Sequence, residues 1–297
     1  MDNRNEVRDF LTSRRAKVSP EGAGLPAYGG NRRVPGLRRE EVAMLAGVSV
    51  DYYTRLERGN LGGASESVLG ALSEALHLDE AERAHLFDLA RSANVPARRA
   101  RHRSTEPSVR ANVQRIVDAM SGIPAFVRNG RLDVLGANQL GYALYPELFR
   151  DPVRPVNHAR YVFLDPGAPD FYWDWDTIAD DTVAILRAEA GRNPYDRALT
   201  DLIGELSTRS VPFRTRWAAH NVRFHRSGIK RFHHPAVGDL ELNYEAMELP
   251  ADPGLRILTY SAEPGSSSAD GLQLLAAWSA TLEQEHRAET QHASGGG

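Results

Sequence analysis

Four histidines stand near one another late in the chain: His220, His225, His233 and His234. Imidazole is a common metal ligand, so a metal centre is the first chemistry to test. No His-Glu-x-x-His or comparable carboxylate–histidine spacing accompanies them. The chain has no cysteine, which excludes thiolate sites and disulfides. Asp174 and Asp176 flank Trp175, yet nothing around them marks an acid/base pair. The Gly-x-Ser-x-Gly and P-loop patterns are absent. These residues read as those of a protein that binds rather than catalyses, with no metal and no other cofactor.

The elements that must position any site divide the 297 residues into unlike parts. Hydrophobic residues make up 41% of the chain, enough to bury a core. The longest candidate for an apolar segment, Leu272–Trp278, falls far short of the ~18 residues of a bilayer span. The opening residues, Met1–Arg8, mix acids and bases and do not read as a signal peptide, so the expected location is the cytoplasm. Formal net charge is −3, but the chain up to about residue 115 is net basic and the remainder net acidic. That asymmetry points a polyanion at the front part.

The front reads as five short helices over residues 1–93. Val7, Phe10, Leu11 and Arg14 share one helical face. Val18–Leu37 is too rich in glycine and proline for a helix. Arg38–Ala46 resumes a helical pattern, with Val42, Leu45 and Ala46 apolar. Gly47 is expected to turn the chain at positive φ, and Ser49 to cap a helix over Val50–Arg58. Further helices are expected at about Ser65–Leu76 and from Asp79. Ala43 is small where two helices would cross, Val48 plugs the gap between them, and Val42, Leu45 and Leu56 lie beneath. A helix-turn-helix needs that spacing, because its second helix must push its first turn into the major groove.

On these residues the front resembles the Xre family of helix-turn-helix transcription regulators. Gly24-Leu25-Pro26, Pro35-Gly36-Leu37-Arg38-Arg39-Glu40-Glu41-Val42-Ala43 and Ala46-Gly47-Val48-Ser49, followed by Tyr52-Tyr53-x-Arg55-Leu56-Glu57, are similar to the MmyB-like subgroup. The loop Leu61–Ser65 departs from it by lacking a proline before the serine. The resemblance implies that Ser49, Val50, Asp51 and Arg55 face base edges, although Asp51 also reads as a helix cap. It places Tyr52, Arg32, Arg33, Arg38 and Arg39 at phosphates, although each arginine also reads as part of a solvated face. Arg14 and Glu57 read as an ion pair between the first and the recognition helix.

Residues 94–107 read as a linker or as the exposed end of a helix, 108–288 as a second domain and 289–297 as a disordered tail. Two apolar runs joined at Asn129-Gly130 suggest a hairpin with a type I′ turn. Helices are expected at Asn138–Tyr145, Asp176–Glu189 and Asn193–Ser207, and Phe213, Trp217 and His220 share a face if their stretch is helical. Strands are expected at Val222–His225, Ile229–Phe232, Asp239–Met247 and Leu255–Tyr260, then a closing helix at Gly271–Gln284. Strands, helices and an antiparallel meander in that order suggest a PAS-like domain, so the fold class is α+β. The second part again resembles the MmyB-like family, at Ile123-Pro124-Ala125, Ala137-Asn138, Ser210-x-x-Phe213-x-x-x-Trp217-x-x-His220, His234-Pro235-x-Val237-Gly238 and Thr259–Gly265.

The resemblance implies a rear domain that senses a fatty acid or similar amphiphile. Phe126, Val134, Tyr142, Phe163, Trp217, Leu242 and Tyr244 are then wall candidates, and His220, Arg223 or His234 could meet a carboxylate. Plain core packing is the other reading of each aromatic, and for His234, before Pro235, a turn. The expectation is a homodimeric regulator that binds double-stranded DNA and not membranes. The competing reading keeps the DNA binding but makes the rear domain a dimerisation or partner-binding module without a ligand.

Overall fold

The computed structural model describes residues 3–25, 36–94, 108–150, 154–222 and 226–294. The chain divides into two compact units, one of residues 1–104 and 183–224, the other of residues 105–182 and 225–297. Among the described residues no helix is long and apolar enough to cross a membrane.

The first unit holds α1 (Asn3–Lys17), α2 (Arg39–Leu45), α3 (Val50–Glu57), α4 (Glu66–Ala75) and α5 (Glu80–Ala93). Helices this short are marginal alone, so packing must hold them. Val7, Phe10 and Leu11 of α1 close on Val42, Tyr53, Leu56, Leu69, Leu72, Leu86 and Leu89 in one buried cluster. Caps set the helix starts. Ser49 accepts from the Tyr52 N–H at 3.1 Å, Ser65 from Val68 at 3.3 Å, and Asp79 from Glu82 at 2.8 Å. The expected boundaries of α2, α3 and α4 and the expected start of α5 hold to within a residue or so. Leu45 differs: it is 37% exposed rather than beneath the pair, because Val42, Ala43 and Ala46 already fill the inward face of α2. The second half of α11 (Trp175–Arg192), α12 (Arg197–Arg209) and α13 (Val211–Ala218) complete the unit.

The second unit is built on a five-stranded antiparallel sheet in the order β2-β1-β5-β4-β3. Its strands are β1 (Ala125–Asn129), β2 (Val134–Ala137), β3 (Ser227–His234), β4 (Gly238–Glu248) and β5 (Leu255–Ser261). Register puts Phe126, Arg128, Leu258, Tyr260, Tyr244, Leu242, Lys230 and Phe232 on one face. On the other face α6 (Ala111–Ala119) lays Val113 and Val117 on Ala125, Val127, Leu255 and Ile257. The remaining helices are α7 (Gln139–Leu144), α8 (Pro146–Arg150), α9 (His158–Leu164), α10 (Ala168–Phe171), the start of α11, and α14 (Ser267–Ser294).

Several local expectations change. The β1–β2 connection is wider than a two-residue type I′ turn, and its left-handed residue is Leu132, at φ 68°. The cause is the Asn129 side chain, whose oxygen accepts the Arg131 and Asp133 N–H groups at 3.0 Å each. Val222 lies outside any strand, and residues 223–225 lie outside the described residues. The closing helix extends to Ser294, past its expected end at Gln284 and into the segment expected as a tail. Of the expected linker, residues 95–107 are outside the described residues.

Candidate functional site

The turn between α2 and α3 aims the second helix. Gly47 adopts φ +64°, with nothing within 4 Å of where a Cβ would sit, so the need there is conformational. The Val48 N–H reaches back to the Ala43 carbonyl at 2.9 Å and the Gly47 N–H to Met44 at 3.2 Å. Beyond the turn, Ser49, Val50, Asp51 and Arg55 are exposed, Val50 to 45%. The Arg55 guanidinium lies 4.9 Å from the centre of the half-buried Tyr52 ring. Residues of these types on a leading helical turn can offer a bidentate donor, a methyl contact and an acceptor to base edges.

Glu57 anchors the other end of α3. It is 1% exposed, bonded to Arg15 at 2.6 Å and paired with Arg39, with the Tyr53 hydroxyl donating to it at 3.5 Å. Burial, then the Glu57 charge, push that hydroxyl up from its ordinary pKa. The expected Arg14–Glu57 pair is not formed. Neighbouring residues on a helix point about 100° apart, so Arg15 faces α3 while Arg14 pairs with Glu82 at 2.7 Å. Arg38 is exposed and faces Glu40 at 3.4 Å, and its N–H donates to Glu41 at 2.6 Å. Arg39, half-exposed, is held at the α2–α3 junction by Glu57.

The interior of the second unit is aromatic and unusually polar. Tyr145, Tyr172, Phe232 and Tyr260 are all but fully buried, with Tyr145 5.7 Å from Phe232 and 6.2 Å from Tyr260 between ring centres. The Tyr145 and Tyr260 hydroxyls are 3.1 Å apart, and those of Tyr172 and the His158 ring (Nε2) 3.2 Å apart. Two cations stand among them. Arg128 and Lys230 are each 4% exposed. The Lys230 ammonium donates to the Tyr260 hydroxyl at 3.5 Å and lies 5.0 Å from the Tyr244 ring centre. Burial pulls Lys230 down to about 7, aided by the Arg128 charge and opposed by Asp181. Burial also pushes the Tyr145, Tyr172 and Tyr260 hydroxyls up. A cavity of about 10 Å³ is lined by Phe126, Arg128, Val134, Tyr145, Leu148, His158, Leu258 and Tyr260, roughly the room one water needs.

Comparison with family models matches residues 109–275, more than half of the chain, to the MmyB-like transcription regulator ligand binding domain. Residues 7–86 match a helix-turn-helix domain. The chain belongs to the MmyB-like transcription regulators. A search of curated proteins returned no match. Together the two domains make this MmyB-like protein a DNA-binding transcription regulator with a domain for a small-molecule ligand.

Within the MmyB-like regulator, the residues expected at a ligand separate. Phe126, Val134, Phe163, Leu242 and Tyr244 are buried in the second unit. Tyr142 is 48% exposed and packs on Phe149, ring centres 4.5 Å apart. His234 spends both ring nitrogens on the chain: one bonds the Ala143 carbonyl at 3.0 Å and the other accepts from the Ala236 N–H at 3.2 Å. It therefore holds a turn and has no nitrogen left for a carboxylate. Trp217 and His220 lie in the first unit. There the fully buried Arg187 stacks 4.1 Å from the Trp217 ring centre, bonds His220 at 2.9 Å and pairs with Glu6. α13 turns Trp217 that way because Phe213, stacked on it, is buried on the same side, and His220 follows just beyond the helix end. Arg32, Arg33 and Arg223 lie outside the described residues, as does His225. Among the described residues no group of three or more metal-ligating side chains is placed to hold a metal ion.

Sequence reasoning passed over Arg128 and Lys230. Both carried a signal. Lys230 is in phase with Phe232 and His234 along β3, and Arg128 with Phe126 along β1, so each charge sits where the period of two demands an inward side chain.

Proposed function

We propose that the regulator reads duplex DNA with α3 as a homodimer, and that an acidic amphiphile held in the second unit, long-chain fatty acids included, sets how tightly it does so. The observation that carries the reading is the capped, exposed leading turn of α3 beyond a left-handed Gly47. In this reading Arg55 takes a guanine O6/N7 pair and Val50 a thymine methyl. Asp51 accepts from a cytosine amine, and Ser49 sits at the groove edge. Tyr52, Arg38 and Arg39 meet phosphates and position the helix, as Arg32 and Arg33 do on the sequence reading. Two recognition helices then sit ~34–36 Å apart on a pseudo-palindrome, in the cytoplasm where the DNA is.

The helix-covered antiparallel sheet with its aromatic interior supports a PAS-like sensor over residues 108–288, joined to the 1–93 reader through 94–107. Residues 183–224, which the family match assigns to the ligand-binding domain, belong to the same compact unit as α1–α5. That supports a route by which ligand state reaches the DNA-reading helices.

The test is fluorescence anisotropy of a labelled operator, obtained by selection from random duplexes, with the full chain and increasing dodecanoate. Allosteric coupling is typically worth ~5–150-fold in affinity, so the operator Kd is expected to change by about fivefold or more. An unchanged Kd at saturating acid, with binding of the acid shown separately, overturns the coupling. Mass spectrometry of natively purified protein that finds no copurified amphiphile favours a ligand-free dimerisation module instead.

A further inference from the structure

The interior of the second unit contains two basic side chains that no ion pair among the described residues neutralises, although the Asp181 charge favours the ammonium of Lys230. Arg128 on β1 and Lys230 on β3 face the same side of the sheet and are 4% exposed. Neither forms an ion pair among the described residues. The sheet brings Arg128 directly opposite Arg256, which turns its own charge outward to Glu248 at 2.9 Å. A buried cation without a counter-charge is costly, and apolar side chains of like size serve a core as well or better. The two also act on each other, since the Arg128 charge disfavours the ammonium form of Lys230. Such an arrangement is explained when an anion completes it.

We propose that Arg128 and Lys230 form the anion centre of the ligand site, binding the carboxylate of a small organic acid between them. The proposal rests on the ligand-controlled reading above and names the group that this site recognises. Three observations beyond the charges support it. Arg128 lines the interior cavity, and so do Tyr145 and Tyr260, whose hydroxyls stand 3.1 Å apart. Burial keeps both hydroxyls protonated; one donates to the other, and the second proton is a donor for an oxyanion. The rest of the cavity wall is His158, whose Nε2 is engaged by the Tyr172 hydroxyl, and four apolar side chains, Phe126, Val134, Leu148 and Leu258, which suit the carbon skeleton. A guanidinium supplies a planar fork for two carboxylate oxygens, and the ammonium a point charge beside it. The cavity of about 10 Å³ has room for about one water, so an organic acid that binds here must part the wall, and the pocket opens with its ligand.

The test uses the full chain, thermal unfolding and calorimetric titration with benzoate and dodecanoate, each beside its alcohol, benzyl alcohol and dodecanol. The variants are Arg128→Met and Lys230→Met, with Arg128→Gln and Lys230→Gln as the second pair should either fail to fold. The expected result is that at least one acid raises Tm while its alcohol does not. Each variant is expected to weaken that acid by about tenfold or more. In the absence of ligand the Met variants melt at the wild-type temperature or above it, since they remove an uncompensated charge. A purely structural role for the cations predicts the reverse: lower ligand-free Tm and unchanged acid binding. Acids that bind equally well to the variants, or alcohols that bind as well as acids, overturn the anion centre and leave the ligand-controlled reading standing. If neither acids nor alcohols bind the wild type, the acidic-ligand reading and the anion centre fall together.

Discussion

Glu57 is buried with Arg15 and Arg39 on its carboxylate and a tyrosine hydroxyl beside it, so its loss is an electrostatic event before it is a packing one. Removing one partner of a buried pair leaves the other charge uncompensated, at about 3 kcal/mol. Glu57→Ala is therefore expected to lower Tm by roughly 6–12 °C, read by calorimetry, whereas exposed Glu40→Ala leaves it within a degree or two. The charge of Lys230 makes a different demand. Its folded pKa of about 7 lies below the ordinary lysine value of 10.5. Between those two values the unfolded chain holds a proton that the folded chain does not, so this group's contribution to stability rises with pH from about 7 to about 10. The groups facing it are Arg128, Tyr260, Tyr244 and Asp181. Tyr244 and Tyr260, shifted upward by burial, act in the opposite sense only above about 10. The Tm of the wild type minus that of Lys230→Met is expected to increase by several degrees between pH 7 and 9.5. Parallel melting curves across that range contradict a buried, titrating Lys230.

At the scale of elements, the glycines separate two kinds of constraint. A Cβ at Gly47 meets open space, while one at Gly59, at φ +93°, falls 2.4 Å from the backbone oxygen of Arg4. Gly47→Ala is expected to cost about 1–2 kcal/mol, the left-handed penalty alone. Gly59→Ala is expected to cost clearly more, because α1 must move away from the end of α3. Equal unfolding midpoints in urea for the two variants would falsify that ordering. The same elements show how much of the fold was legible in advance. The helices of the first unit were readable because short-range signals agree: Ser49, Ser65 and Asp79 cap, Gly47 turns, and Val7, Phe10 and Leu11 repeat at helical spacing. β4 was readable because Leu240, Leu242 and Tyr244 alternate with exposed Glu241, Asn243 and Glu245. The β1–β2 connection was not, since the Asn129 side chain outcompetes the Asn-Gly turn by bonding two N–H groups. The helix α6 escaped notice because its apolar stripe is only Val113 and Val117.

For the molecule as a whole, the exposed turn proposed to read DNA was visible in the sequence and the proposed anion centre was not. The recognition turn is local, so Ser49, Val50, Asp51 and Arg55 could be placed from their spacing to Gly47 and from a family resemblance. The ligand centre depends on strand order. Arg128 and Lys230 are brought to one face only by the β1-β5-β4-β3 register, and no spacing along the chain announces that. Long-range packing also reassigned Trp217 and His220: three residues apart on a pattern that looked like a pocket wall, they close instead around Arg187 and Glu6 in the first unit.

The measurement that bears most directly on the account is selection of bound duplexes from a random library by the wild type, Arg55→Ala and Arg38→Ala. The wild type is expected to enrich a pseudo-palindrome with half-sites one helical turn, or a whole number of turns, apart. Arg55→Ala is expected to lose preference at one base position per half-site, ~1–3 kcal/mol of discrimination. Arg38→Ala is expected to keep the sequence and weaken every site, flattening the salt dependence by ~1 in slope. Enrichment of no sequence by the wild type, or an identical logo from Arg55→Ala, would contradict base reading by α3.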